Sequence, residues 1–309
     1  YYNIALKYFK RSLEIKKMLN DKIGIGKSLL NIGITMGDPN GIGPEVLLRA
    51  LKEMHPFNGW TPLIFGDMRI LMTMNDILRT SFKFYEISEN NLTLRKSSLK
   101  EFYIPVIDLS VKKERKWEHG NCNKWGGESA FKFVIKAIKY AKQKKINAIV
   151  TAPISKHALV KAGHFFSGHT EILAHFCNVE RSVMMLAVDE LRATMVTLHI
   201  SLRQAIESLS KEIILEVIEI TNAGLKKMGI SEPVLGIAGL NPHAGENKLF
   251  GDEEYRIIRP AIDIKNKKGI NCIGPFPPDT IFLEHKKGLF DVVVAHYHDQ
   301  ALGPLKLYG

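Results

Sequence analysis

"NIGITMGDPNGIGPEVLLRALKEM" occupies residues 31–54, and its rhythm decides the fold class. NIGIT has the β-branched content of a strand. MGDPNGIGPE is rich in the residues that build loops. EVLLRALKEM carries apolar residues at helical spacing. Pro44 suits a first helical turn, where its missing N–H costs nothing. The strand–glycine loop–helix order suggests a dinucleotide fingerprint, but Gly41 and Gly43 are followed by Val46 where a third glycine belongs. No lysine follows to make a P-loop, so the N-terminus of the helix is only a weak anion-site signal.

The same rhythm repeats down the chain. TPLIFG (61–66), IPVIDL (104–109), NAIVTAP (147–153), VMMLAV (183–188), ATMVTLH (193–199), VLGIAG (234–239) and DVVVAHY (291–297) read as strands. Helical stretches lie between them, notably 127–144 and 210–228. Alternation of this kind predicts an α/β fold with a largely parallel sheet. The nearly all-apolar strands predict helices on both sheet faces.

Composition bounds the partners. The 309 residues are 45% hydrophobic and 24% charged, as in a globular protein of one large or two modest domains. No run reaches the roughly 18–20 apolar residues that span a bilayer, and charges interrupt the first residues too early for a signal peptide. Cys122, Cys177 and Cys272 form no CxxC pair. That argues against a disulfide framework or a cysteine zinc site and for a reducing cytoplasm. The net charge of +11 comes mostly from lysines spread along helices. Without a basic stripe, helix-turn-helix or zinc-finger spacing, it predicts a solvated surface rather than nucleic-acid binding.

Polar clusters follow several strands, where open α/β sheets bind ligands. His199 follows ATMVTL, His243 lies in GLNPHAGE, His296 and His298 end DVVVAHYHD, and His169 precedes a helix in SGHTE. A single histidine is more often a satisfied core or surface residue. Several at separate strand ends suggest a metal centre with an open coordination position. Spacing alone does not choose among them, although an extended AHYHD would put His296 and His298 on one side. Asp279 in FPPDTIF reads either as a helix N-cap or as a site residue. Asp299, beside His298, suits proton exchange or orientation.

Residues 1–31 differ from the rest. Tyr2, Ala5, Leu6, Tyr8, Leu13, Gly26 and Leu29 follow the pattern of one tetratricopeptide repeat, with two helices meeting at Asn20-Asp21. No second copy follows, and stable arrays need about three. The segment is expected to be dispensable for folding and chemistry.

The ordered set ITMGDPNGIGPE, TAPISK, GHTE, MMLA, TLHISL, GLNPHAGE, GPxPxDTxF and YHDQxLxxLK resembles the 4-hydroxythreonine-4-phosphate dehydrogenases of vitamin B6 biosynthesis over about residues 32–309. The resemblance implies a two-lobed α/β/α sandwich of the isocitrate and isopropylmalate dehydrogenase type, not a Rossmann domain. Residues 32–150 and 270–309 are expected to form one lobe, and 151–269 the other. It implies NAD-dependent oxidation of 4-phosphooxy-L-threonine, then loss of CO2 to give 3-amino-2-oxopropyl phosphate. A related activity on threonate or erythronate phosphate is the first alternative; a three-histidine hydrolase or aldolase is the second, and a repeat-led interaction module the third. By motif, His199, His243 and His298 would hold zinc, magnesium or cobalt. Asp279 and Asp299 would be catalytic, and His169, Thr170 and Lys306 would bind substrate. His296 stands where the family often has methionine, and Ser155 where it has histidine or asparagine. A cytoplasmic homodimer with its sites at the interface is implied. The family pattern continues past the position of Gly309 with asparagine and arginine contacts, so a C-terminally truncated enzyme that binds substrate weakly and is nearly inactive is expected.

Overall fold

The computed structural model describes residues 30–57, 60–88, 103–110 and 117–309. The repeat-like N-terminal hairpin expected over 1–31 lies almost wholly outside them. The chain divides into two compact units, residues 1–180 and 181–309.

In the first unit, β1 (Leu30–Thr35) runs into the loop 36–42 and then α1 (Gly43–Met54). β2 (Trp60–Gly66), α2 (Met68–Leu78), β3 (Lys83–Glu86), β4 (Tyr103–Asp108), α3 (Lys124–Lys142), β5 (Ala148–Thr151), α4 (Lys156–Ala162) and α5 (His169–Cys177) follow. The sheet order is β3-β4-β2-β1-β5, and each pairing is parallel. The glycines of the first loop serve the packing of the loop itself. Gly37 has φ +73, and a Cβ there would lie 2.3 Å from the Pro153 carbonyl. A Cβ on Gly43 would lie 2.2 Å from the Met36 carbonyl. Pro44 sits in the first turn of α1, as its fixed φ predicts.

The second unit contains β6 (Met185–Val188), β7 (Leu191–Met195), α6 (Leu202–Ser208), α7 (Lys211–Lys227), β8 (Val234–Ala238), α8 (Arg259–Lys267), β9 (Asn271–Phe276), α9 (Ile281–Lys286), β10 (Val292–Ala295) and α10 (His298–Tyr308). The order is β6-β7-β10-β8-β9. Only the β6–β7 hairpin is antiparallel. Its turn uses Asp189 at φ 49, the positive φ that tight hairpins need. β10 is the central strand, and its residues alternate between two cores. Val292 and Val294 pack with Ile214, Val217 and Ile218 of α7 and Ala261 of α8. Val293 and Ala295 pack with Ile281 of α9 and Ala301 and Leu305 of α10. Helices therefore cover both faces, the α/β/α layering expected. Each fully buried valine contributes about 1.5–3 kcal/mol.

The expected partition needs two corrections: residues 151–180, with α4 and α5, belong to the first unit rather than the second, and 270–309 to the second rather than the first. Residues 270–309 do not join the first sheet, because β9 and β10 pair with β8 and β7. The short parallel registers are satisfied only inside the second sheet. β3 and β9 are strands that the sequence reading left out. KFYE is polar and only half-buried, and NCIGPF holds a proline and a glycine that weaken a strand signal.

Two glycines make opposite predictions. Gly127 lies in α3, and a Cβ there would sit 1.9 Å from the Ala158 carbonyl. Gly127→Ala should destabilise the first unit by about 1–3 kcal/mol, as overpacking does. Gly224 lies in α7 with nothing within 4 Å of a Cβ, so Gly224→Ala should stabilise by about 0.5–1 kcal/mol through helix propensity. Urea unfolding of both variants reads the two signs.

Candidate active site

Four parallel strands of the second sheet, β7, β10, β8 and β9, end on one edge. The chain beyond their carboxyl ends carries His199, His298, His243 and Asp279 respectively. Backbone bonds lace these exits together. Val196 N–H donates to the Ala295 carbonyl at 2.9 Å, and Thr197 N–H to the His296 carbonyl at 3.1 Å. The Thr197 hydroxyl also donates to the His296 carbonyl, at 2.8 Å. The exit of β7 thus runs alongside that of β10, and the His199 and His298 rings come within 5.8 Å, centroid to centroid. Gly239 N–H donates to the Phe276 carbonyl at 2.7 Å, tying the β8 exit to the β9 exit. His243 and Asp279 consequently line one open pocket of about 270 Å³ with Leu240, Pro242, Pro278 and Tyr297. Tyr297 immediately precedes His298.

The strand-end placement holds with local differences. β7 stops at Met195, so His199 lies on an irregular exit rather than in the strand. His298 begins α10, with Tyr297 as N-cap. The chain is therefore not extended through AHYHD, and the two histidines part. His296 is 1% exposed, and its Nε2 lies 2.7 Å from the Ala238 carbonyl. A carbonyl only accepts, so Nε2 carries the proton. Burial pushes this imidazole down to about 4, against the pull of that carbonyl and of Glu254. His298, half-buried, holds Asp299 Oδ1 at 3.1 Å from Nδ1. Asp279 is exposed and caps nothing; Thr280 is the N-cap of α9. The capping explanation for Asp279 is thereby removed. Lys306 is exposed on α10.

Imidazole donors suit zinc, cobalt and related ions. Ring centroids 5.8 Å apart are somewhat wider than the roughly 5 Å of two imidazoles on one tetrahedral ion with metal–nitrogen distances of about 2.0–2.1 Å, so a small ring movement would bring them to it. Among the described residues, no group of three His, Cys, Asp or Glu is already gathered for a metal. His199 and His298 fit a divalent ion in donor type, and His243 lies on the neighbouring loop, in the pocket with Asp279 and Tyr297.

That loop is unusual. Every residue from 243 to 248 has positive φ, including His243 at 51 and Gly245 at 78. Left-handed backbone costs non-glycine residues roughly 1–2 kcal/mol each, so the conformation needs external support. Glu254 supplies it. Its Oε1 accepts Leu240 N–H and Asn241 N–H, each at 2.8 Å, and its Oε2 accepts the Asn241 side-chain amide at 3.0 Å. Burial works to raise this carboxyl, but the bonds from Asn241 and Leu240 outweigh it and hold it below the usual carboxylate range. Gln300 adds a second tie: its amide donates to the Gly239 carbonyl at 2.7 Å, and its Oε1 accepts His296 N–H at 2.7 Å. Sequence reading missed both residues. The only signal was a run of three acidic residues in GDEEYR and a glutamine within YHDQ.

In the first unit, His169 begins α5 and Thr170 is exposed beside it. Burial pushes His169 down to about 4, opposed by a hydrogen bond with the Ala152 backbone, and its Nε2 is buried without a partner. Ser155 caps α4, accepting Ala158 N–H at 3.1 Å, a structural duty that accounts for serine there. Cys122, Cys177 and Cys272 are all free. No helix among the described residues is long and apolar enough to cross a membrane.

Residues 59–309 match the family described as pyridoxal phosphate biosynthetic protein PdxA. A D-threonate 4-phosphate dehydrogenase of Salmonella typhimurium is 40% identical over 285 residues, covering 90% of this chain and 84% of the relative. A 4-hydroxythreonine-4-phosphate dehydrogenase of Beijerinckia indica is 38% identical over 278 residues, covering 90% and 80%. Among solved structures, a 4-hydroxythreonine-4-phosphate dehydrogenase from Burkholderia phymatum superposes with a TM-score of 0.83 at 38% identity, covering 91% of this chain and 84% of that one.

His169 gives a pH prediction. Its folded value near 4 lies below the ordinary 6.5, so the unfolded chain takes up the proton first. Its stabilising contribution is complete above about pH 6.5 and is lost as pH falls from there toward 4. The thermal midpoint of His169→Gln should therefore fall less than that of wild type between pH 7 and pH 4.5. Parallel curves would show that His169 does not titrate this way.

Proposed function

The chain belongs to the PdxA family, and its relatives are dehydrogenases. We propose that it oxidises a 4-phosphorylated 3-hydroxy acid with NAD, in the first place 4-phosphooxy-L-threonine, and that the resulting 3-oxo acid loses CO2 to give 3-amino-2-oxopropyl phosphate. The observation that carries this reading is the meeting of the His199 and His298 imidazoles where the carboxyl ends of parallel strands converge.

In this reading His199, His243 and His298 hold a divalent ion: zinc, magnesium or cobalt. NAD bound there would supply the hydride acceptor for C3, and an ion held by these histidines would supply a Lewis acid for the C3 oxygen. Asp279 lies on the pocket wall with His243. It is suited to accept the hydroxyl proton or to return one to carbon after CO2 departs. Asp299 orients the His298 ring through Nδ1, the role carboxylates commonly play beside metal-binding imidazoles. His169 and Thr170 bind substrate polar groups. His169 does so as a neutral imidazole, by hydrogen bond rather than ion pair. Lys306 takes the anionic phosphate, where an ammonium acts as a point charge. The enzyme would work in the cytoplasm as a homodimer whose sites draw on both subunits; free cysteines and a lysine-rich surface support a reducing, aqueous setting.

The Salmonella relative supports a second substrate, D-threonate 4-phosphate. It differs only in carrying hydroxyl instead of amine at C2, and the same steps would release dihydroxyacetone phosphate. NADH absorbance, followed with each substrate and with or without chelator, separates the two. One substrate should turn over, and chelator should abolish the signal. Asp279→Asn should lower kcat at least ~100-fold, the scale of lost acid–base catalysis, with NAD affinity nearly unchanged. Wild-type turnover by that variant would remove Asp279 from the chemistry. His298→Ala should lose bound metal while His296→Ala keeps it, and unchanged metal content in His298→Ala would remove His298 from the ligand set.

A further inference from the structure

Glu254 is 0% exposed, yet among the described residues it has no ion-pair partner. An isolated buried carboxylate is costly unless hydrogen bonds satisfy it. Its side-chain oxygens accept from the first residues of the β8 exit: Leu240 N–H, Asn241 N–H and the Asn241 amide. Its oxygens also lie where side chains on the flanking glycines would be. A Cβ on Gly239 would lie 3.2 Å from Oε1, and one on Gly245 2.7 Å from Oε2. The neighbouring Glu253 takes the other hydrogen of the Asn241 amide at 2.7 Å. Residues Glu254–Ile258 form a π-helical turn, a wider winding often found where a side chain must be aimed. The carboxylate thus ties down the chain just before His243 by hydrogen bonds and lies against Gly245 just after it.

We infer that Glu254 is a positioning residue: it clamps the 239–245 loop so that the His243 imidazole is presented for metal binding. This rests on the reading that His243 is a metal ligand. Glu254 touches neither substrate nor ion; it acts through the loop. A residue that served only stability would leave metal affinity unchanged in any variant that still folds.

The test is cobalt(II) titration of chelator-treated protein, followed by visible absorption, together with hydrogen exchange of the metal-free protein. Glu254→Ala should weaken cobalt binding at least ~10-fold, the lower end for lost outer-shell support. Glu254→Gln can still accept both backbone amides through its carbonyl oxygen, so it should weaken binding less. Exchange across residues 240–250 should quicken in both, while the buried turns of α7 stay protected. The effect of Glu254→Gln on cobalt affinity should vanish in a His243→Ala background. If Glu254→Ala does not fold, Glu254→Gln decides. Wild-type cobalt affinity and loop exchange in the folded variants, with His243→Ala weakened, overturn the inference and leave the metal reading standing. Wild-type affinity in His243→Ala itself overturns the metal reading, and the inference with it.

Discussion

Everything in the second unit depends on β10 being buried on both faces. Val292 and Val294 face one core, and Val293 and Ala295 the other. A slip of one residue would exchange the two sets and disturb both packings. Because β10 is central, fixed register there fixes the exits of β7 and β8 on either side. The site is assembled from those exits. The valines supply more than burial free energy: they set the depth at which His298 leaves the sheet.

Above that floor, polar groups take over. His296 and Gln300 bond to the Ala238 and Gly239 carbonyls, and Glu254 bonds to Leu240 and Asn241. Four consecutive residues at the end of β8 are therefore held from two sides by buried side chains. Buried polar networks tolerate little variation, because each unmet partner carries a desolvation cost of about 1–3 kcal/mol. That cost is the counterpart of a strained loop beyond: the fixed base permits positive φ at His243 and the residues after it. It also gives His296 its duty. Its buried Nε2–H fastens β10 to β8, which an apolar side chain at that position could not do.

Strand periodicity made the α/β class and most strand positions legible, since the signal is local and apolar. β9 and β3 escaped because NCIGPF and KFYE lack that signal. The lobe to which 270–309 belongs was misassigned because sheet pairing is non-local; no residue of VVVA states which strands it joins. The site divides in the same way. Histidines at strand exits could be seen as candidates, and motif resemblance selected three. That His199 would approach His298 depended on Thr197 bonding to the His296 carbonyl. That His243 would share a pocket with Asp279 depended on one bond from Gly239 to Phe276. Glu254 was the least visible, because a glutamate in an acidic run ordinarily faces solvent.

On the proposed chemistry, one site can serve both substrates named among the relatives. Oxidation at C3 places a ketone β to the carboxylate, and electrons from the breaking bond to CO2 flow toward that ketone. The C2 substituent, amine or hydroxyl, remains outside that flow. A site that positions C3, the carboxylate and the phosphate can therefore serve either acid with the same histidines and aspartates. Discrimination has to come from a contact at C2. A site built to hydrogen-bond one group there can reject an analogue that leaves its buried donor or acceptor unpaired. Amine and hydroxyl differ in charge and in donor count, so the residue that decides between them need not be a metal ligand or a proton carrier. Conserving the catalytic motifs while exchanging that one contact would give dehydrogenases of similar overall identity with different substrates, the relation this chain has to its two kinds of relative.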